Sequence, residues 1–408
     1  MDGNTFWLAV KNTFRQIVKS KFALLITVLL LICLGRRFLI KKSVVDHYDR
    51  DDDGNFKIID STNAFVNIEV PIADDSSNKE NVEKGQQEFS GDEEEFRPRK
   101  NDYGLLEGGF RHINRRKDPK LKLKDLSSWS FRYKNMVAYS IKGRRPYMED
   151  RFGFVTNEAD DYQLFGVFDG HGGTFVAEYA EEKLLQNMAS KLSVKDSRPI
   201  NLTKLFIEET VLLDEEFNRI ENPNLRFIGS TALFGYFDRK DLYIANVGDC
   251  RAVGISFKDR NVSQLTIDHK PNHPLEQKRI AKVGGTVIWN GVWRLGGILA
   301  VSRALGDLEL KIPGWLTAVP DVFKIDLERE SFDVVILASD GFWDVFTNEE
   351  ILDYLKSYYF SDNGNKSVKS VEQSSIMRNL LRGAKFLVEE AYKKGSADNI
   401  TLMIVKLV

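Results

Sequence analysis

Between residues 136 and 408 the chain repeats one pattern: an apolar, strand-like run carries a carboxylate at one of its ends. "FGVFDG" stops at Asp169, "LYIANVGD" stops at Asp249, and "VVILASDGFWD" supplies Asp340 and then Asp344. "MVAYSIKGRRPYMED" ends in Glu149 and Asp150, while "ADNITLMIVKLV" opens with Asp398 and Asn399. One Asp beside a Gly is an ordinary turn. Repetition along the chain is harder to explain that way, because desolvating several carboxylates together is costly unless a cation neutralises them. Hard divalent cations with oxygen ligands do so, which points to magnesium or manganese. "FGVFDGHGG" (165–173) leaves three readings: a phosphate-cradling loop, a metal site or a tight turn. It lacks the glycine spacing of nucleotide loops. A glycine after Asp169 would leave the Gly170 carbonyl free to act as a ligand.

Composition removes other classes. The net charge of -2 offers no general attraction for nucleic acid. The two cysteines, Cys33 and Cys250, make no disulfide framework and no cysteine-rich zinc site. Neither has an arginine six residues later, as a cysteine-dependent phosphatase would need. Sixty acidic residues keep oxygen-liganded metals open.

The chain divides into four segments. Residues 1–21 read as a basic amphipathic helix: Phe6, Val10, Phe14 and Ile17 share a face among Lys11, Arg15 and Lys19. Residues 22–40 read as a short transmembrane anchor around "FALLITVLLLICL", thirteen residues that would span about 20 Å as a helix. So short a span suits a thin bilayer, the endoplasmic reticulum ahead of the plasma membrane. A cleaved signal peptide is the rival reading. Residues 41–128 read as a charged, largely disordered linker, acidic to about Glu95 and basic from Arg97 to Lys124. Within it "DRDDDGNFKIID" (49–60) has the spacing of a calcium loop, although an acidic turn accounts for it as well. From 129 to 408 apolar strands come in groups separated by helices, which predicts an α+β fold with antiparallel sheets. "VAEYAEEKLLQNM" puts Val176, Ala180, Leu184 and Met188 on one helical face. Pro274 and Gly284 punctuate another helix, and Thr347 with Glu350 form a capping box.

The motifs "RPYMEDR", "VFDGHGG", "ANVGDCR", "GGILAVSRALGD", "LASDGFWDV" and "SADNIT" follow one another in that order. From about 135 to 408 the chain thereby resembles the metal-dependent Ser/Thr protein phosphatases of type 2C. With its short anchor it further resembles the membrane-anchored protein phosphatase 1-like subgroup. The resemblance implies a sandwich of two antiparallel β-sheets flanked by helices, four layers in all, with metals in a cleft at one end. It implies two Mg2+ or Mn2+ ions per site: Asp169 would bridge both, the Gly170 carbonyl would bind one, and Asp340 and Asp398 the other. Asp150 and Glu149 would act through metal-bound waters, and Asp249 and Asp344 match a weaker third position. Arg145 matches the phosphate-binding arginine, with Arg144 as neighbouring rival. His171 matches the general acid, with a structural turn histidine as alternative. Asn399 would orient Asp398. The segment "NGVWRLGGILAVSRALGD" matches a flap where substrate choice is expected. The implied partners are phosphorylated proteins, signalling kinases among them, acted on by a monomeric catalytic domain. Asn399-Ile-Thr401 is a glycosylation sequon inside the expected site, which favours a domain facing the cytosol. The other class of function is a catalytically inactive phosphoprotein-binding scaffold, for which a missing metal-site Asp would be the sign.

Overall fold

The computed structural model describes residues 128–157, 162–193, 200–220, 222–360 and 373–407, with short strands at 49–50, 56–57, 99–100 and 106–109. The expected amphipathic segment and anchor lie outside these. Among the described residues no helix is long and apolar enough to cross a membrane. Two units are distinguished, Met1–Phe65 and Val66–Val408. In the first, Asp49–Arg50 pairs antiparallel with Phe56–Lys57. The start of the acidic segment is therefore one arm of a hairpin, whereas a helix leads into an EF-hand loop. Asp51 and Asp53 lie outside the described residues.

In the second unit, one sheet runs in the order Asp321–Asp326, Asp241–Val247, Ala232–Phe237, Tyr162–Phe168, Arg151–Asn157, Leu106–Gly109, Arg99–Lys100. The other runs Asn261–Gln264, Arg251–Ser256, Val334–Ala338, Ile400–Lys406, Met136–Ile141, Ser128–Tyr133. Every pairing in both is antiparallel. Two of these strands come from the segment read as linker: Leu106–Gly109 adds to the edge at Arg151–Asn157, and Arg99–Lys100 adds to that. "LEGG" has little strand propensity of its own. What the pairing satisfies is the backbone of an otherwise open sheet edge.

The central strands are buried on both faces, which is why they read as unbroken apolar runs. Met136 and Ala138 turn inward to meet Phe152, Phe165, Val335 and Met403 between the sheets. Val137, Tyr139 and Ile141 turn outward against Leu355, Leu380 and Leu387 of the helices Glu350–Tyr359 and Gln373–Lys394. On the opposite side Leu164, Phe168 and Phe234 pack on Val176, Ala180, Leu184 and Met188 of Phe175–Leu192 and on Phe206 of Leu202–Phe217. The result is the expected four-layer order of helix, sheet, sheet, helix. The capping box is present too: Thr347 N donates to Glu350 Oε2 at 2.8 Å and Glu350 N to Thr347 Oγ1 at 3.4 Å.

The segment between Asp249 and Asp321 carries its own small apolar cluster, in which Ile280, Leu295, Val301, Ala304, Leu310 and Leu316 are buried. Beneath it lies a buried ionic network. Glu276 accepts from Arg303 at 2.7 Å and from Arg279 at 2.9 Å, and Arg303 reaches Asp321 at 2.7 Å. Burial alone would raise the Glu276 pKa, but the two guanidiniums outweigh it and hold it at about 2. A carboxylate with a depressed folded-state pKa contributes stability above its unfolded value, and loses it as pH falls through the folded value. Chemical denaturation of Glu276→Gln is expected to show a loss of about 3 kcal/mol at neutral pH. The loss should shrink as pH falls from the usual glutamate range toward 2. A loss independent of pH would contradict the ionic account.

Candidate active site

Antiparallel register delivers the carboxylates to one end of the sandwich. Arg151 pairs with Phe168, so Asp150 before the one strand and Asp169 after the other are neighbours. Ala338 pairs with Leu402, which brings Asp340 beside Asp398 and Asn399. Val247 leads through Gly248 and Asp249 directly into Arg251–Ser256 of the second sheet, so the chain crosses between sheets at this same end. A strand-end position thus becomes a position in the cleft.

The carboxylates repel one another there. Asp150 is 1% exposed; its Oδ2 accepts from Thr401 Oγ1 at 2.6 Å and Ser339 Oγ at 2.9 Å. No donor reaches its buried Oδ1. Burial, with the nearby charge of Asp398, pushes its pKa up to about 6. Asp169 is raised well above the carboxylate range by burial and by Asp150, Asp340, Asp398 and Asp249. Asp340 is raised by burial and Asp249, and Asp344 and Glu149 are raised chiefly by burial. Among the described residues no three carboxylate, imidazole or thiol groups converge on one point at metal-binding distance. The donor set nonetheless fits a hard cation: all oxygen, excess negative charge, and one buried carboxylate oxygen without a donor. At Gly170 a Cβ would lie 2.7 Å from the Glu149 carbonyl oxygen, so only glycine fits beside that backbone. Gly172 takes φ +69° where a Cβ would meet the Phe227 carbonyl at 2.3 Å, which serves the turn into Phe175–Leu192.

Asn399 spends its whole amide on the loop before the site. Its Nδ2 donates to the carbonyls of Lys142 at 2.7 Å and Tyr147 at 2.9 Å, and its Oδ1 accepts from Glu149 N at 2.7 Å. Asn399 N donates to Asp398 Oδ1 at 2.7 Å. The two arginines of that loop separate cleanly. Arg144 donates to the carbonyls of Ser396 and Tyr392 and lies over the Tyr392 ring, tying down the end of Gln373–Lys394. Arg145 points to the carboxylates, with Nη2 donating to Asp398 Oδ2 at 2.6 Å and its side chain 49% exposed. That exposure leaves the guanidinium free to change partner at little energetic cost.

His171 has a partner that sequence reasoning missed. Its Nε2 lies 2.6 Å from Oδ2 of Asp307, a carboxylate 4% exposed. A small three-stranded sheet creates the meeting: Gly229 pairs with His171 on one side and with Gly306 on the other. A Cβ on Gly229 would lie 2.1 Å from Asp307 Oδ2 and 2.5 Å from His171 Nε2, so glycine makes room for the pair. The only trace in sequence is another Gly-Asp step, 136 residues away, in "SRALGD". Burial pulls the imidazole pKa down, while Asp307, Asp249 and Glu149 outweigh it and raise it overall. Also missed were Ser339 and Thr401, small hydroxyls at strand ends that hold Asp150.

A family model described as Protein phosphatase 2C matches residues 135–400, and these include every carboxylate of this cleft. The chain belongs to the protein phosphatase 2C family. Its members are Mg2+- or Mn2+-dependent serine/threonine protein phosphatases. Protein phosphatase 1L of Bos taurus is 37% identical over 68% of this chain and 74% of its own length, in keeping with the subgroup resemblance. Two probable phosphatases 2C of Oryza sativa subsp. japonica, numbered 52 and member 13 (mitochondrial), are 40% and 41% identical over 65% of this chain. The match spans 49% and 66% of those rice proteins, so parts of them have no counterpart in it. Among solved structures, a C. elegans sex determining protein aligns with TM-score 0.57 and 27% identity over 69% of this chain and 66% of that one. Serine-threonine phosphatase 2C from Toxoplasma gondii aligns with TM-score 0.55 over 69% and 99%; at 24% identity it speaks to the fold alone.

Proposed function

We propose that this chain hydrolyses phosphoserine and phosphothreonine in signalling proteins, using a water activated at a two-metal centre. The observation that carries the reading is Asp150: a buried carboxylate with a raised pKa and one oxygen that no donor reaches, set among Asp169, Asp249, Asp340, Asp344 and Asp398. Asp169, the Gly170 carbonyl, Asp340 and Asp398 would hold the two ions, with Asp150 and Glu149 acting through water and Asp249 and Asp344 offering a weaker third position. Bound there, Mg2+ or Mn2+ lowers the pKa of water and offsets phosphoryl charge.

The chain's own residues do the rest. Arg145 leaves Asp398 to grip two phosphoryl oxygens, a task suited to a planar guanidinium. His171, whose pKa Asp307 raises, protonates the departing serine or threonine alkoxide. The flap at residues 290–307 shapes access to the cleft. Residues 22–40 tether the domain to a membrane, with the catalytic unit in the cytosol. The buried Asn399, whose amide is fully engaged, would make a poor glycan acceptor. Protease treatment of sealed microsomes tests that placement, and a protected C-terminal domain would overturn it.

The full-length protein is expected to hydrolyse p-nitrophenyl phosphate and phosphothreonine peptides with Mn2+, and to stop in EDTA. Folded protein that binds phosphopeptides without turning them over would overturn the enzymatic reading in favour of the scaffold.

A further inference from the structure

Lys270 lies outside every role assigned so far, yet its ammonium reaches into the carboxylate cleft. Nζ stands 2.5 Å from Oδ2 of Asp249, whose side chain is 3% exposed. The charges of Asp340 and Asp344 act on the same ammonium. This lysine is not a loose surface chain, because the residue before it is clamped on both sides. His269 N donates to the Gly248 carbonyl at 2.9 Å, and Gly248 N donates back to His269 Nδ1 at 3.1 Å. The second bond makes Nδ1 the unprotonated nitrogen, so Nε2 carries the hydrogen that reaches Asp321 at 3.1 Å. The His269 carbonyl in turn accepts from Ser302 N at 2.8 Å and Ser302 Oγ at 2.9 Å. Ser302 adjoins Arg303 of the ionic network under the flap. The backbone carrying Lys270 is thus fixed to the backbone carrying Asp249, and braced by the flap.

We propose that Lys270 is a tethered cation that competes with a divalent ion for Asp249 and keeps the third metal position weak. The inference rests on the metal-centre reading above. A divalent ion that takes Asp249 must displace an ammonium already neutralising it, or accept the repulsion of a positive charge a few ångströms away. The tether makes that competition permanent, and independent of any ion in solution.

Calorimetric and EPR titration of full-length protein with Mn2+ tests this without reference to turnover. Lys270→Met is expected to bind its weakest Mn2+ roughly tenfold more tightly than wild type, the other ions being little changed. Lys270→Arg, which keeps the charge, should retain the wild-type isotherm. Adding Asp249→Asn to Lys270→Met should remove the strengthened ion. If the methionine variant does not fold, Lys270→Gln serves, checked first by its thermal melt. Two tight ions in both proteins with an unchanged weak phase would overturn the role of Lys270 alone. A folded wild type that binds no Mn2+ would overturn the metal-centre reading itself.

Discussion

Asp340→Asn is expected to lower kcat/KM toward a phosphothreonine peptide by about a thousandfold, or about 4 kcal/mol of transition-state stabilisation. It is also expected to make the metal-free protein more stable. Both follow from the same carboxylate. Burial and the charge of Asp249 raise the Asp340 pKa well above the usual range. A carboxylate with a raised folded-state pKa opposes folding above its unfolded value, and that opposition fades as pH falls from the raised value toward the usual carboxylate range. Asparagine keeps the shape and removes the charge. Thermal melts in EDTA should show a higher Tm for the variant than for wild type, while added Mn2+ should raise the wild-type Tm more than the variant's. Loss of activity with a lower Tm in EDTA would mean that Asp340 is structural.

His171→Gln is expected to reduce kcat for phosphoserine and phosphothreonine peptides by about a hundredfold or more. The same change should have far less effect on p-nitrophenyl phosphate, whose phenolate departs without a proton. Asp307→Asn separates positioning from proton donation. Asp307 sits at φ +49°, a left-handed conformation that asparagine tolerates, so the backbone should hold. The variant keeps a hydrogen-bonding oxygen but loses the charge that raises the His171 pKa. A raised imidazole is protonated at low pH and loses its proton as pH rises through the folded value, so the general acid is active below that value. The alkaline limb of the kcat profile for peptides should therefore move to lower pH in Asp307→Asn. An unshifted limb would show that Asp307 only packs against the ring. Together the two variants also distinguish a catalytic His171 from a turn histidine, which would affect both substrates alike.

Much of the site was legible because it lies at strand ends. A strand buried on both faces is recognisable as an apolar run, and the first charged residue beyond it marks where the sheet stops. Asp169, Asp249, Asp340 and Asp398 all carry that mark, and Asp150 directly precedes the strand Arg151–Asn157. The helix Phe175–Leu192 was equally readable from its apolar spacing. The linker reading held less of the fold, because Leu106–Gly109 joins a sheet through backbone hydrogen bonds that leave no apolar signature.

What the sequence determined by itself is the inventory: which strands exist, which carboxylates end them, and that so many acids at apolar borders need a cation. Local patterning suffices for this, since alternation, caps and glycine turns act over a few residues. Only the tertiary structure decided the partnerships. It assigned Arg144 to a helix end and Arg145 to Asp398, brought Asp307 to His171 across Gly229, and set Lys270 against Asp249. Each of these depends on register between distant strands or on a glycine that leaves room for a neighbour. Such distances are set by the folded sheet, and no spacing along the chain encodes them.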